Sequence, residues 1–132
     1  AFIGDTVPAE QLALFEELPP KLPGNALLVS HGIVKGWHPT LPATLSVEAL
    51  GPLRKKLPHT LFISDDMQMR GVLDVLPLAE ACATGFAAGL DVIILGNNLM
   101  RLSEDEIFSM AATLESRNDL APKIARVAKR KA

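Results

Sequence analysis

One cysteine, Cys82, is all the sequence contains, so no disulfide can form within it and a reducing compartment, the cytoplasm, is the expected setting. The residue reads as a small apolar packing group. Positive charge is not in excess either: 13 Lys and Arg against 15 Asp and Glu give a formal net charge of -2. A phosphate backbone is gripped by a clustered surplus of cations, so nucleic acid is excluded as a partner. The basic run Arg126, Lys129, Arg130 and Lys131 is expected to complement the negative end of a last helix rather than to form a binding patch. No uninterrupted apolar stretch reaches the roughly 18 residues of a membrane span. Ala1 to Asp5 also lack the charged region and long apolar core of a signal peptide. The sequence as it stands is therefore expected to be neither membrane-bound nor secreted by that route. The three histidines, His31, His38 and His59, lie in three different contexts without paired spacing, which argues against a metal site of the zinc type. No Gly-rich phosphate loop follows the first apolar strand, which argues against a small flavodoxin-type module. No cofactor is called for.

What remains is 48% hydrophobic and 21% charged over 132 residues, enough for one globular domain with a real core. Thr6 and Pro8 open a helix that carries Leu12, Phe15 and Leu18, and Pro19-Pro20 end it. Lys21 to Asn25 forms a turn. Ala26-Leu27-Leu28-Val29 reads as a strand too apolar to have a solvated face, closing in Ser30-His31-Gly32. A loop from Ile33 to Ala43 carries Trp37 and His38. Thr44 or Ser46 then opens a helical segment, and Gly51-Pro52 either kinks it or marks a helix that begins at Pro52 and ends near Leu57. A second strand, Thr60 to Ser64, runs into Asp65-Asp66. A helix from Pro77 puts Leu78, Cys82 and Phe86 on one face and stops at Gly89. Asp91 to Leu95 forms a third strand ending in Gly96-Asn97-Asn98. Ser103 and Glu106 spell a capping box for a helix whose inner face carries Ile107, Met110, Ala111 and Leu114. A final helix runs from about Leu120 to Lys131.

The strands begin near Leu27, Leu61 and Val92 and recur at about 30 residues, the length of a βα unit. The expected fold class is therefore α/β, with three parallel βα units whose polar tips, His31, Asp65 and Asn97, gather at one end of the sheet. In such folds the crevice forms at that end. A carboxylate there is a candidate for chemistry, and equally a cap for the following turn. Alternation groups Leu61, Ile63 and Asp65 on one side of the strand and Phe62, Ser64 and Asp66 on the other, which suits Asp66 to bond backbone N–H groups or a neighbouring basic residue. Three parallel strands leave two unpaired edges, and a closed (βα)8 barrel takes about 250 residues. A partial TIM-type barrel, its edges covered by further protein or by a second copy, is the expected architecture.

Three motifs sharpen this. Pro42-Ala43-Thr44-Leu45-Ser46, then Phe62-Ile63-Ser64-Asp65-Asp66-Met67 with Met69 and Gly71, then Ala87 through Leu95, in that order and spacing, resemble the last third of the barrel domain of family 3 glycoside hydrolases. The nearest likeness is to the bacterial β-N-acetylhexosaminidases, and it runs from Leu12 to Leu114. The resemblance implies that residues 1–132 are a single domain, the C-terminal portion of a glycosidase barrel. It further implies that Asp65 is the catalytic nucleophile of a retaining hydrolase cleaving terminal β-linked N-acetylhexosamine, with His31 lining the same pocket. Gly96-Asn97-Asn98, Asn97 first among them, is a candidate source of amide donors to a carbohydrate hydroxyl, though Asn after a strand is equally a turn residue. Trp37 either stacks on a sugar ring or covers the barrel mouth, while Met67 and Met69 read as packing residues. The family's Lys-His pair and Asp-x-His acid/base dyad lie upstream of the matched region and have no counterpart here. The acid is thus expected from outside these residues, and the chain alone is expected to be inactive. The alternative is a non-catalytic fragment or paralogue whose half-barrel binds a partner or assembles with itself.

Overall fold

The apolar segments pair in the order of their recurrence. In the computed structural model, which describes residues 3–18, 21, 25–98, 100–117 and 119–129, the chain runs through β1 (Ile3–Gly4), α1 (Ala9–Glu17), β2 (Ala26–Val29), β3 (Ile33–Val34), a 3-10 turn at Ala43–Leu45 and α2 (Val47–Lys56). It continues through β4 (Leu61–Asp66), α3 (Arg70–Leu73), α4 (Leu78–Ala88), β5 (Val92–Ile94), α5 (Glu104–Arg117) and α6 (Ala121–Ala128). β2, β4 and β5 form a parallel sheet in the order β2-β4-β5, so this is the α/β fold of a partial TIM-type barrel. β1 and β3 make a separate two-stranded parallel pair, inside what the sequence suggests is plain loop. The expected stop at Pro19-Pro20, part of the turn after Lys21, and Arg130 and Lys131 lie outside the described residues. Among the described residues no helix is long and apolar enough to cross a membrane.

Local chemistry explains the helix ends. Ser46, not Thr44, caps α2: its Oγ accepts the Ala49 N–H at 3.1 Å, and the helix then continues through Pro52 to Lys56. Gly89 stops α4 at φ 131, a conformation that side-chain-bearing residues rarely adopt. The capping box of α5 forms in full, with the Ser103 N–H donating to Glu106 Oε2 at 2.8 Å and the Glu106 N–H donating to Ser103 Oγ at 3.3 Å.

Helices α2 and α4 cover one face of the sheet. Phe62, Leu50, Leu57, Ala88 and Leu90 form the core there, joined by Leu27, Val29 and Ile93. Burying Phe62 alone contributes about 1.5–3 kcal/mol. Cys82 lies in a second cluster with Leu45, Met67 and Leu114, and burial pushes its thiol up to about 11. Of the residues expected on the inner face of α5, Leu114 is buried, whereas Ala111 is exposed. The opposite face of the sheet departs further from expectation. Leu28, Ile63 and Val92 are register partners in one row across it, yet Leu28 is 65% exposed and Ile94 39%. β2 therefore does have an open face, because no described layer packs where a barrel interior would be. Both outer edges, on β2 and on β5, are unpaired among the described residues.

The lower end of the sheet is tied by charge. Asp91, its side chain fully buried, receives Arg54 on Oδ2 at 2.5 Å and Arg126 on Oδ1 at 2.6 Å, and the Phe62 N–H also donates to Oδ2 at 2.9 Å. Arg126 thus belongs to a buried ion cluster and does not serve merely to offset a helix end, as its place in a basic run suggests. Burial lowers the pKa of Arg54, an effect that Asp91 opposes.

Candidate active site

At the upper end, β4 outlasts its apolar residues and carries Ser64, Asp65 and Asp66 to the edge of the sheet. Ile63 stands opposite Val92 but Asp66 stands opposite Ile94, so β4 spends one more residue than β5 over that interval. Bulges of this kind re-aim side chains and interrupt the ladder. The interruption is mended by side chains: Ser64 Oγ accepts the Ile94 N–H at 2.9 Å, and Asp65 Oδ1 accepts the Asp66 N–H at 2.8 Å.

Asp66 is bonded through one carboxylate oxygen and through its carbonyl. Its Oδ1 accepts the Gln68 N–H and the Gly96 N–H, each at 3.0 Å, as alternation along the strand suggests. Its carbonyl accepts from His31 Nε2 at 2.9 Å. A carbonyl only accepts, so that nitrogen carries the proton, and in the neutral ring Nδ1 accepts the buried Thr44 hydroxyl at 2.8 Å. The polar tips after β2, β4 and β5 therefore meet at one end of the sheet, since His31 and Gly96 both bond Asp66. Asp65 is less anchored than its neighbour: its Oδ1 takes a single N–H, that of Asp66, against two from separate segments on Asp66 Oδ1, and among the described residues no protein donor meets the Oδ2 of either.

The other expected site residues have definite places. His31 is 6% exposed and gives both ring nitrogens to the protein. Asn97 adopts φ 54. Its side chain closes its own loop, with Oδ1 accepting the Leu102 N–H at 2.6 Å and Nδ2 donating to the Leu102 carbonyl at 3.3 Å. Trp37 lines an apolar groove of about 290 Å³ along β2, together with Val7, Leu12, Phe15 and Leu53. His38 accepts the Thr40 and Leu41 N–H groups at Nδ1 and so shapes the loop. Thr44 and Gln68, which the sequence does not mark as site residues, complete the tip together with Gly96, whose N–H goes to Asp66. A Cβ at Gly96 would overlap the Asp66 carboxylate. The only signal for Gln68 was its place within the Ser-Asp-Asp stretch.

The Glycosyl hydrolase family 3 N terminal domain matches residues 6–129. Among solved structures, the β-N-acetylglucosaminidase from Thermotoga maritima is 22% identical with a TM-score of 0.75, covering 96% of this chain and 30% of that one. M tuberculosis LpqI is 22% identical with a TM-score of 0.77, covering 96% and 41%. A family 3 β-N-acetylglucosaminidase from Paenibacillus sp. is 23% identical with a TM-score of 0.61, covering 99% and 28%. This chain thus spans well under half the length of each of these structures, and the likeness at such identity is one of fold. Among functionally curated proteins, none matches. A family match that extends almost from end to end, over a sheet with all its polar tips at one end, makes the chain a member of glycosyl hydrolase family 3, within that family's N-terminal domain.

Proposed function

We propose that residues 1–132 form the C-terminal portion of a retaining β-N-acetylhexosaminidase barrel, with Asp65 as its nucleophile. The observation that carries this is the division of labour between adjacent carboxylates. Asp66 Oδ1 is tied to two backbone N–H groups, of Gln68 and of Gly96 across the sheet, while Asp65 Oδ1 takes only the adjacent Asp66 N–H, so Asp65 is the less anchored of the two and its Oδ2 is available. In retaining hydrolysis a carboxylate oxygen attacks the anomeric carbon as the glycosidic oxygen leaves with a proton from a separate acid, and water then releases the sugar. The paired carboxyl groups of such sites stand about 5 to 5.5 Å apart on either side of the bond. Asp66, already committed to the backbone, is not that second group, so the acid comes from protein beyond these residues. Terminal β-linked N-acetylhexosamine as the substrate follows from the sequence resemblance, and the names of the similar structures support it. In this reading His31 lines the pocket floor by fixing the Asp66 carbonyl, Asn97 shapes the rim, and Trp37 covers the flank of β2 beside the mouth. The cytoplasm is the proposed setting, in keeping with the unpaired thiol of Cys82.

The open face and edges also favour a second reading, in which the half-barrel only docks onto another protein surface and performs no chemistry. Kinetics separates the two. The isolated chain is expected to turn over an aryl β-N-acetylglucosaminide negligibly, whereas the polypeptide that completes the barrel does so, and Asp65→Ala reduces its kcat by about 10³-fold or more, the scale for removal of a covalent nucleophile. Asp65→Ala activity within ten-fold of the unsubstituted enzyme, or brisk turnover by the isolated chain, would overturn the proposal.

A further inference from the structure

Gln68 is a loop residue, yet it is only 1% exposed, and glutamine is rarely buried to this degree. Its backbone N–H and both polar atoms of its side chain meet backbone or the Asp66 carboxylate. Its N–H donates to Asp66 Oδ1 at 3.0 Å, its Oε1 accepts the Asn97 N–H at 2.6 Å, and its Nε2 donates to the Met100 carbonyl at 2.7 Å. Gly96, bonded to the same Asp66 oxygen at 3.0 Å, directly precedes Asn97. Gln68 therefore joins the loop after β5 to the tip of β4 from two directions.

We infer that Gln68 is a positioning residue for Asp65, acting through the Asn97–Gly96 loop and Asp66. This rests on the reading of Asp65 given above. The last link is the Asp66 N–H, which holds Asp65 Oδ1 at 2.8 Å and so leaves the other oxygen as the one presented. At a bulge, where the ladder does not fix the backbone, such a brace matters: a misplacement of about 1 Å in a reacting group can cost about 10²-fold in rate.

Amide hydrogen exchange on the 15N-labelled 132-residue chain tests the brace without any need for activity. Gln68→Met keeps the volume and removes both side-chain bonds. The Asp66, Gly96 and Asn97 amides are expected to exchange at least ten-fold faster, with those of α4 unchanged. If only Asn97 accelerates and Asp66 stays protected, Gln68 merely anchors its own loop and the inference fails. Should Gln68→Met lose protection throughout α4, Gln68→Glu serves instead, since it keeps the acceptor for Asn97 and loses the donor to Met100. Undiminished Asp66 protection in that variant likewise overturns the inference. In the active polypeptide, Gln68→Met is expected to lower kcat by ten-fold or more with KM within two-fold. In an Asp65→Gly background, where azide replaces the missing nucleophile, Gln68→Met is expected to change the azide-assisted rate by less than two-fold. An equal loss in both backgrounds would mean that Gln68 does not act through Asp65. Asp65→Gly that remains active without azide would instead defeat the nucleophile reading, while the exchange result still decides whether Gln68 braces the tip.

Discussion

Asp91→Asn tests whether the lower end of the sheet is held by charge. The carboxylate receives Arg54 and the Phe62 N–H on one oxygen and Arg126 on the other, and none of it is exposed to water. Asparagine keeps one acceptor but turns an NH2 group toward a guanidinium. Breaking a buried pair from one side costs about 3–5 kcal/mol, because the remaining charge is left without its partner. Here Arg54 and Arg126 are 20% and 23% exposed, so each can be partly rehydrated and the lower figure, about 3 kcal/mol, is expected. Against a total stability of about 5–15 kcal/mol that is a large share, and it corresponds to a fall in Tm of roughly 10 °C for a domain of this size. Urea unfolding followed by circular dichroism gives the number directly. A loss under about 1 kcal/mol, the range of exposed pairs, would show that the cluster is solvated and that packing around Phe62 holds this end. The double cycle with Arg126→Met refines the test: residues in direct contact couple by about 0.5–3 kcal/mol, and additivity within error would remove Arg126 from the cluster.

Two glycines should respond to alanine with opposite signs. At Gly96 a Cβ would overlap the Asp66 carboxylate, and Gly96→Ala is expected to destabilise by about 1–3 kcal/mol, as overpacking does. At Gly51, within α2, a Cβ meets only Val47 Cγ2 at 3.9 Å, so Gly51→Ala is expected to stabilise by about 0.5–1 kcal/mol in the same urea assay; the reverse order would contradict the geometry. The capping box predicts a pH dependence. Bonds from the Ser103 backbone and side chain hold Glu106 below its ordinary 4.5. A carboxyl lowered on folding contributes stability above its unfolded value and loses it as pH falls through the folded one. The Tm gap between the unsubstituted chain and Glu106→Ala should therefore be constant above about pH 5 and close on acidification; a gap that widens would refute the assignment.

Short-range pattern carried most of the fold. Runs such as Leu61-Phe62-Ile63, the Gly89 stop and the Ser103–Glu106 box are local signals, and each formed where those residues stand. What stayed hidden depends on partners about 30 residues away, the spacing of one βα unit. Nothing near Arg126 in sequence shows that it will meet Asp91, and nothing near Gln68 shows that its amide will be spent on the loop after β5. The exposed face of β2 was hidden for a different reason: an apolar strand reads the same whether its second face is covered or open. The tip was half legible. Alternation suggested that Asp66 would accept backbone N–H groups, but the bulge that places it there is a property of two strands in register, not of either sequence alone.

The two ends of the β4–β5 pair share one solution. The ladder between them is short and broken by a bulge, which is a poor platform for the carboxylate proposed as the nucleophile. An aspartate reaches across at each end. Asp91, just before β5, accepts the Phe62 N–H of β4, and Asp66, the last residue of β4, accepts the Gly96 N–H just beyond β5. Hydrogen bonds from backbone N–H groups to a charged acceptor are roughly twice as strong as neutral ones, so two such clamps offset what the bulge removes. The bulge can then be kept at the tip, and Asp65 sits within the interval it opens, between one clamp and the bonded row of Ile63 and Val92.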